Sequence, residues 1–293
     1  MRIRRVSILA SLCTLGNALC GFAAITLTTK ALQVSDEAHA VFRNDVKWAA
    51  YFIILAMVFD ALDGRLARFA RATSDFGGQL DSLADAISFG LAPAFLMNRL
   101  VVEGLQDVDL PFGVGRVLWL AWVCGAVYLG CTLIRLARFN VENVHDEEAH
   151  LSFKGLPSPA AAGALVSLII VLANCWKEVE PGAAACAMLW ALPVVAVVLG
   201  LLMVSNLRYL HLLNHLVRGR RPLGHLVLVL LVIAMAFLLR EVFLPLGFGA
   251  YALSGPVMHV YRRFARPRGP KAGEGPGGVA QATAGAPPLA GRM

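Results

Sequence analysis

Charge is scarce in this chain of 293 residues, of which 15% are charged and 58% are hydrophobic. Soluble domains of ordinary composition are about 25% charged, so the scarcity argues against a soluble enzyme and excludes a disordered protein. Several apolar runs approach or exceed the ~18 residues that cross the hydrocarbon core of a bilayer. The composition therefore predicts a polytopic membrane protein.

Cysteine pairs are also lacking. The six cysteines lie in or beside apolar runs without a CxxC pair, which argues against a disulfide framework or a thiolate metal site. The net charge of +7 would suggest nucleic acid in a soluble protein, but most of the 26 basic residues fall in segments that the positive-inside rule places in the cytoplasm. We therefore expect membrane lipids, and no nucleic acid, as partners.

Hydropathy predicts an all-α bundle of about eight membrane-spanning helices with both termini in the cytoplasm. The membrane-embedded domain covers residues 1–264, and the Pro-, Gly- and Ala-rich residues 265–293 are predicted to form a disordered tail. The predicted spans are residues 7–31, 48–68, 78–101, 113–136, 157–176, 184–206, 223–240 and 243–261.

Four aspartates lie where the second and third predicted spans reach the cytoplasmic side. Asp60 and Asp63 are three residues apart and Asp81 and Asp85 four apart, so each pair shares one helix face. A carboxylate beside hydrocarbon is costly unless it is paired or coordinated. Small residues such as Gly64 should let the two helices approach closely. The spacing therefore predicts that the four carboxylates converge.

Divalent cations would relieve the repulsion within such a cluster. Oxygen-only sites suit Mg²⁺, Mn²⁺ or Ca²⁺, and a pair of metals suits phosphoryl or phosphatidyl transfer. Salt bridges to Arg65, Arg68 and Arg71 are the alternative explanation. Such salt bridges account for one or two of the aspartates, but poorly for four at this spacing.

The pattern Asp60-x-x-Asp63-Gly64-x-x-Ala67-Arg68, followed after eight residues by Gly77-x-x-x-Asp81-x-x-x-Asp85, resembles the complete signature of the CDP-alcohol phosphatidyltransferase family. Four further stretches resemble the bacterial membrane members that use serine as the acceptor. These stretches are Leu15–Phe22, Asp81–Pro93, Arg135–Asn140 and Gly155–Ala162.

This resemblance implies transfer of the phosphatidyl group from CDP-diacylglycerol to the hydroxyl of L-serine, giving phosphatidylserine and CMP. The expected location is the bacterial inner membrane, with the active site facing the cytoplasm. Two divalent cations, Mg²⁺ or Mn²⁺ with Ca²⁺ as a further option, would be bridged by Asp60 and Asp81. Asp63 would complete the first metal site and Asp85 the second, and Asp85 would also be the general base.

The resemblance also assigns residues to CDP-diacylglycerol. Gly64 would let the cytidine approach the helix backbone, while Arg68 and Ser74 would contact the diphosphate. Asn17, in the first span, either packs between helices or lines the cytidine pocket. Homodimers are common in the family, but nothing in this sequence predicts one.

Two arginines near the end of the fourth predicted span are candidates for contact with the acceptor. Arg135 and Arg138 either bind the serine carboxylate or anchor the fourth span at the lipid phosphates, and the sequence favours neither role. Glycerol phosphate, inositol phosphate or choline as acceptor is the alternative within the same chemistry. A cation transporter is a less favoured alternative from another class. Pro93 is predicted to kink the third span.

Overall fold

The computed structural model describes residues 2–29, 36–70, 75–105, 113–142, 153–176, 182–209 and 240–265. Almost all of these residues are helical, and one short two-stranded sheet accompanies the helices. The α-helices are α1 Arg2–Thr29, α2 Asp36–Ala70, α3 Asp75–Asp85, α4 Ala92–Leu105, α5 Val114–Glu142, α6 Ser158–Cys175, α7 Ala183–Val204 and α8 Arg240–Ala265. A π-helical turn, Ala86–Leu91, joins α3 to α4, and the strands are β1 Phe153–Lys154 and β2 Arg208–Tyr209.

The all-α prediction is confirmed, and the described residues contain five helices long and apolar enough to cross a membrane. These helices are Leu9–Thr29, Phe76–Leu105, Gly115–Val141, Ser158–Cys175 and Ala183–Val204. The predicted spans 48–68 and 243–261 lie in α2 and α8, which do not reach the same combination of length and apolar composition. Most of the predicted span 223–240 and nearly all of the predicted tail lie outside the described residues.

Helix α6 lies at the centre of the bundle, where it contacts α2, α4, α7 and α8. Its first turn contains Pro159, a position that suits proline because the first N–H groups of a helix have no partner within the helix. Small residues, including Ala161, Ala162 and Gly163, let neighbouring helices pack close to its axis. This central helix fixes the positions of the surrounding helices.

Helix α1 has two different faces. Leu12, Leu15 and Leu19 are exposed, as expected of side chains that meet lipid, whereas Thr14 and Asn17 are buried. The two sets alternate with the three- and four-residue spacing of an α-helix. Because α1 packs against both α2 and α3, its polar face points towards the ends of those helices.

Strands β1 and β2 form a two-residue antiparallel clasp, in which Phe153 pairs with Tyr209 and Lys154 with Arg208. The clasp continues into α6 through Gly155, whose φ of +86° is a left-handed conformation that glycine adopts without steric cost. The Gly155 N–H donates to the Leu207 carbonyl over 2.8 Å. The start of α6 is thereby tied to the residues that follow α7.

The third predicted span is helical throughout but changes its winding part-way. Asp85 is the last residue before the π turn, and within the turn the Ala92 N–H bonds to the Ile87 carbonyl, five residues earlier. Pro93 follows immediately in α4. The irregularity therefore lies next to the proline from which a kink is predicted, and it takes the form of a π turn.

Candidate active site

Three aspartates from two helices meet at one end of the bundle. Asp60 and Asp63 lie near the end of α2, and Asp81 lies in α3. Each offers a carboxylate oxygen, and the three oxygens lie within 4.8 Å of one another. Asp60, Asp63 and Asp81 are called the carboxylate cluster below.

The cluster is partly shielded from water and incompletely hydrogen-bonded. Asp63 is 5% exposed and lies beside the Thr14 side chain and the Gly64 backbone. Among the described residues, one oxygen of Asp63 and one of Asp81 are buried without a hydrogen-bond partner. Carboxylates this close repel one another unless a cation offsets their charge. An all-oxygen, anionic donor set with free oxygens fits hard divalent cations.

Asp85 stands beside the cluster and interacts electrostatically with Asp60 and Asp81. It is 8% exposed, and its Oδ1 accepts a hydrogen bond of 3.1 Å from Nδ2 of Asn17. Asn17 is itself fully buried in α1. The amide therefore fixes the direction of the Asp85 carboxylate, a contact that sequence reasoning did not assign to Asn17.

The two candidate acceptor residues have different surroundings. Arg135, in α5, donates from one terminal nitrogen to Oγ of Ser158 over 3.0 Å and lies close enough to Asp85 and Asp60 to interact with both. Its Nε is buried without a hydrogen-bond partner among the described residues. Arg138 donates instead to Oδ1 of Asn206 over 3.1 Å, on the exposed side. Arg135 is therefore the arginine directed towards the carboxylates.

The residues predicted to bind CDP-diacylglycerol are described only in part. Gly64 lies exposed on α2, and a Cβ built there meets no atom within 4 Å. The prediction that Gly64 brings α2 and α3 together is therefore wrong, because no atom of another helix in the described part of the chain lies within 4 Å of that Cβ position. The Arg68 side chain and Ser74 lie outside the described residues.

Comparison with known proteins identifies the family. The sequence profile described as CDP-alcohol phosphatidyltransferase matches residues 7–201 of this chain. The chain belongs to the CDP-alcohol phosphatidyltransferase family. The matched part of this transferase contains all four aspartates, Asn17 and both arginines, whereas β2 and α8 lie beyond it.

Relatives within the family agree on one description. The chain is 32% identical to a protein of Helicobacter pylori over 73% of its own length and 80% of the relative. It is 28% identical to a Bacillus subtilis protein over 69% of its length and 89% of the relative. A Methanocaldococcus jannaschii protein is 32% identical over 54% of this chain and 61% of the relative. All three are named CDP-diacylglycerol–serine O-phosphatidyltransferase.

Sequence reasoning about this transferase missed the polar residues that support the aspartates. Thr14 lies beside Asp63, Ser88 donates to the Asn17 carbonyl over 2.8 Å, and Ser158 accepts a hydrogen bond from Arg135. Thr14 and Asn17 are three residues apart in a mainly apolar part of α1. Two polar residues on one face of a membrane span were the signal that could have identified that pair.

Proposed function

We propose that this chain transfers the phosphatidyl group of CDP-diacylglycerol to the hydroxyl of L-serine and releases CMP. The observation that carries the proposal is the carboxylate cluster, with Asp85 beside it, in a chain that belongs to this transferase family. The acceptor is inferred from the names of relatives that cover most of the chain. Phosphatidylserine is the lipid product.

Two divalent cations, Mg²⁺ or Mn²⁺, are proposed to bind at the cluster. Asp60, Asp63, Asp81 and Asp85 would hold them. The free oxygens of Asp63 and Asp81 support this assignment, because a buried carboxylate oxygen without a partner needs a cation or a donor. Bound there, the cations would neutralise the diphosphate and the leaving oxygen.

Asp85 is proposed to remove the proton from the serine hydroxyl. A general base must lie within hydrogen-bond reach of the proton that it takes, and Asn17 holds the Asp85 carboxylate in a fixed direction beside the cluster. The serine oxygen then forms a bond to the phosphorus as the phosphorus–oxygen bond to CMP breaks. CMP leaves with the electron pair of that bond, and the proton stays on Asp85.

Arg135 is proposed to bind the carboxylate of the serine substrate. Its position near Asp85 would put the acceptor carboxylate and the acceptor hydroxyl on the same side of the cluster. The buried Nε without a partner supports this role, because a guanidinium offers parallel donors to a carboxylate. Arg138, which is bonded to Asn206, is assigned to the membrane surface.

The CDP-diacylglycerol contacts are proposed at Gly64, Arg68 and Ser74. Open space at the Gly64 Cβ position supports this assignment, since packing among the described residues does not require glycine there. Asn17 is reassigned from cytidine contact to Asp85.

The enzyme is proposed to work at the cytoplasmic face of the bacterial inner membrane. The end of the bundle that carries the cluster also carries Arg65, Arg135, Arg138 and Arg208, which fits the positive-inside rule. The acyl chains of the donor would remain in lipid while its headgroup reaches the aspartates.

The proposal is tested by CMP release. Vesicles containing the full chain are incubated with CDP-diacylglycerol, Mg²⁺ or Mn²⁺ and one acceptor at a time: serine, glycerol phosphate, inositol phosphate or choline. We expect CMP and phosphatidylserine with serine. Release with another acceptor alone would overturn the assignment of serine, and no release with any acceptor would overturn the transferase function itself.

The Asp85→Asn variant provides the matched control for this assay. It keeps the size and position of the side chain but cannot accept the hydroxyl proton. We expect turnover to disappear while CDP-diacylglycerol binding is retained. An active Asp85→Asn variant would contradict the general-base assignment.

A further inference from the structure

The π turn Ala86–Leu91 is held from two sides by polar contacts. It begins directly after Asp85, the proposed general base, and ends two residues before Pro93. Single π turns inside longer helices occur frequently at functional sites, because the extra residue changes the direction of the side chains around it. The contacts that keep this turn in place therefore bear on the position of Asp85.

Pro93 leaves one carbonyl in the turn without its usual donor. Proline has no N–H, so the Phe89 carbonyl, four residues earlier, cannot accept the hydrogen bond of a regular α-helix from residue 93. The Tyr128 hydroxyl, from α5, donates to that carbonyl over 2.9 Å. The Tyr128 and Phe89 side chains are both fully buried. No other hydrogen bond joins a buried side chain of α5 to this turn in the part of the chain that is described.

Helix α1 holds the opposite side of the same turn. Oγ of Ser88 donates to the Asn17 carbonyl over 2.8 Å, and the Asn17 side chain donates to Asp85. A Cβ built on Gly21 would lie 2.8 Å from Cα of Ser88, so glycine is needed for this approach. The turn is thus fixed between α1 and α5, and the α1 contact leads directly to the Asp85 carboxylate.

We infer that Tyr128 is a positioning residue, which holds the π turn and thereby sets the direction of Asp85 relative to the carboxylate cluster. The inference rests on the proposed function, in which Asp85 acts on the acceptor hydroxyl. Successive residues of an α-helix are about 100° apart around the axis, so loss of the extra residue in the turn would rotate Asp85 relative to α4 by roughly that angle. Tyr128 is fully buried and its hydroxyl is bonded to the Phe89 carbonyl, so it would act on Asp85 through the turn.

The test is the isosteric variant Tyr128→Phe, which removes only the hydroxyl. We expect kcat to fall about tenfold, the lower end of the range for partners that orient active-site groups, with both KM values nearly unchanged. The matched control is Tyr209→Phe. It also removes a buried hydrogen bond from a tyrosine hydroxyl to a backbone carbonyl, that of Ala252 at 3.1 Å, and leaves the ring that packs on Tyr251. Both variants should lose similar thermal stability, but Tyr209→Phe should keep the wild-type kcat.

A second variant distinguishes two roles of Tyr128: positioning Asp85, and only satisfying the buried Phe89 carbonyl. Adding Pro93→Ala to Tyr128→Phe supplies a backbone N–H four residues after Phe89, which can satisfy its carbonyl within an α-helix. We expect the double variant to regain thermal stability but not kcat. Recovery of both quantities would overturn the inference, because Tyr128 would then only satisfy a buried carbonyl.

The outcomes also distinguish this inference from the proposed function. If wild-type vesicles release no CMP with any acceptor, the proposed function fails and the inference falls with it. If wild type is active and Tyr128→Phe has the same kcat as Tyr209→Phe, the inference alone is wrong.

Discussion

Two parts of the same bundle are held together by different kinds of contact. Around the aspartates, helices that are distant in sequence are joined by directional bonds such as those from Asn17 to Asp85 and from Arg135 to Ser158. Helix α8, beyond the part of the chain that matches the family, packs on α6 with the Phe248 ring against Gly163. Directional contacts place reacting groups, whereas apolar contacts mainly stabilise the fold.

The two parts meet at one point. Tyr251 of α8 packs on Tyr209 of β2, with ring centroids 5.7 Å apart, and lies near Arg135. Elsewhere the difference yields a simple rule: substitutions around the aspartates should change activity more than stability, and substitutions under α8 should do the reverse. Four predictions test this rule, beginning with the largest effect.

The first prediction concerns the carboxylate cluster. Asp81→Asn should lower kcat by more than the roughly 100-fold that marks the upper range for outer-shell partners of a metal site. When a chelator removes divalent cations, the variant should melt no lower than wild type, because the substitution removes one of three carboxylate charges that repel one another. CMP release and a melting curve measure the two effects. Asp45→Asn, in the same helix α2 as Asp60 and Asp63, is the control and should keep its activity.

The second prediction separates the two arginines. Arg135→Gln should raise the KM for serine about 10-fold or more, since a hydrogen bond to a charged group contributes about 1.5–3 kcal/mol. Arg138→Gln should change that KM far less, because its guanidinium is bonded to Asn206 on the exposed side. Serine titrations at saturating CDP-diacylglycerol provide the measurement. A larger effect at Arg138 would reverse the assignment.

The third prediction tests the contact between α6 and α8, the helix that lies beyond the family match. A Cβ built on Gly163 would lie 2.5 Å from the Phe248 ring, so Gly163→Leu should lower the free energy of unfolding by about 1–3 kcal/mol through overpacking. The folded enzyme should keep a nearly normal kcat. Gly247→Ala is the control, since a Cβ there meets nothing within 4 Å. A large loss of kcat in Gly163→Leu before any loss of folded protein would break the rule.

The smallest expected effect is at Gly64. Gly64→Ala should stabilise the protein by about 0.5–1 kcal/mol, because alanine is the better helix former and its Cβ has open space. It should nevertheless raise the KM for CDP-diacylglycerol several-fold if the cytidine lies against this glycine. Gly78→Ala, whose Cβ also meets nothing within 4 Å, should give the first effect without the second. Equal KM values in the two variants would remove Gly64 from the donor site.

The comparison also explains which features could be predicted from the sequence. The two aspartate pairs can be recognised in the sequence because helical spacing is a local property. In the structure, carboxylate oxygens of Asp60, Asp63 and Asp81 lie within 4.8 Å of one another. The number of spans was harder to predict. Asp60, Asp63 and their arginine neighbours make α2 too polar to count as a membrane span, and much of the predicted span 223–240 lies outside the described residues.

Contacts between distant residues could not be predicted in this way. Asn17 and Asp85 are 68 residues apart, and their hydrogen bond depends on how α1 packs against α3. Pro93 predicts that one backbone hydrogen bond is missing, but the sequence does not determine whether the helix kinks or forms a π turn. From the sequence motif alone, a glycine at position 64 is explained equally well by helix packing and by contact with the substrate. The open space around it favours the second role.

The clasp between β1 and β2 has a consequence for the order in which the enzyme matures during synthesis. Every residue of the carboxylate cluster, together with Asn17 and Asp85, has left the ribosome once the first 85 residues are free. The clasp, which precedes the α6 helix that carries Ser158, forms only once residue 209 has been made. At usual rates of translation, that strand emerges on the order of ten seconds later. The aspartates can therefore assemble before the proposed serine-binding side of the site exists.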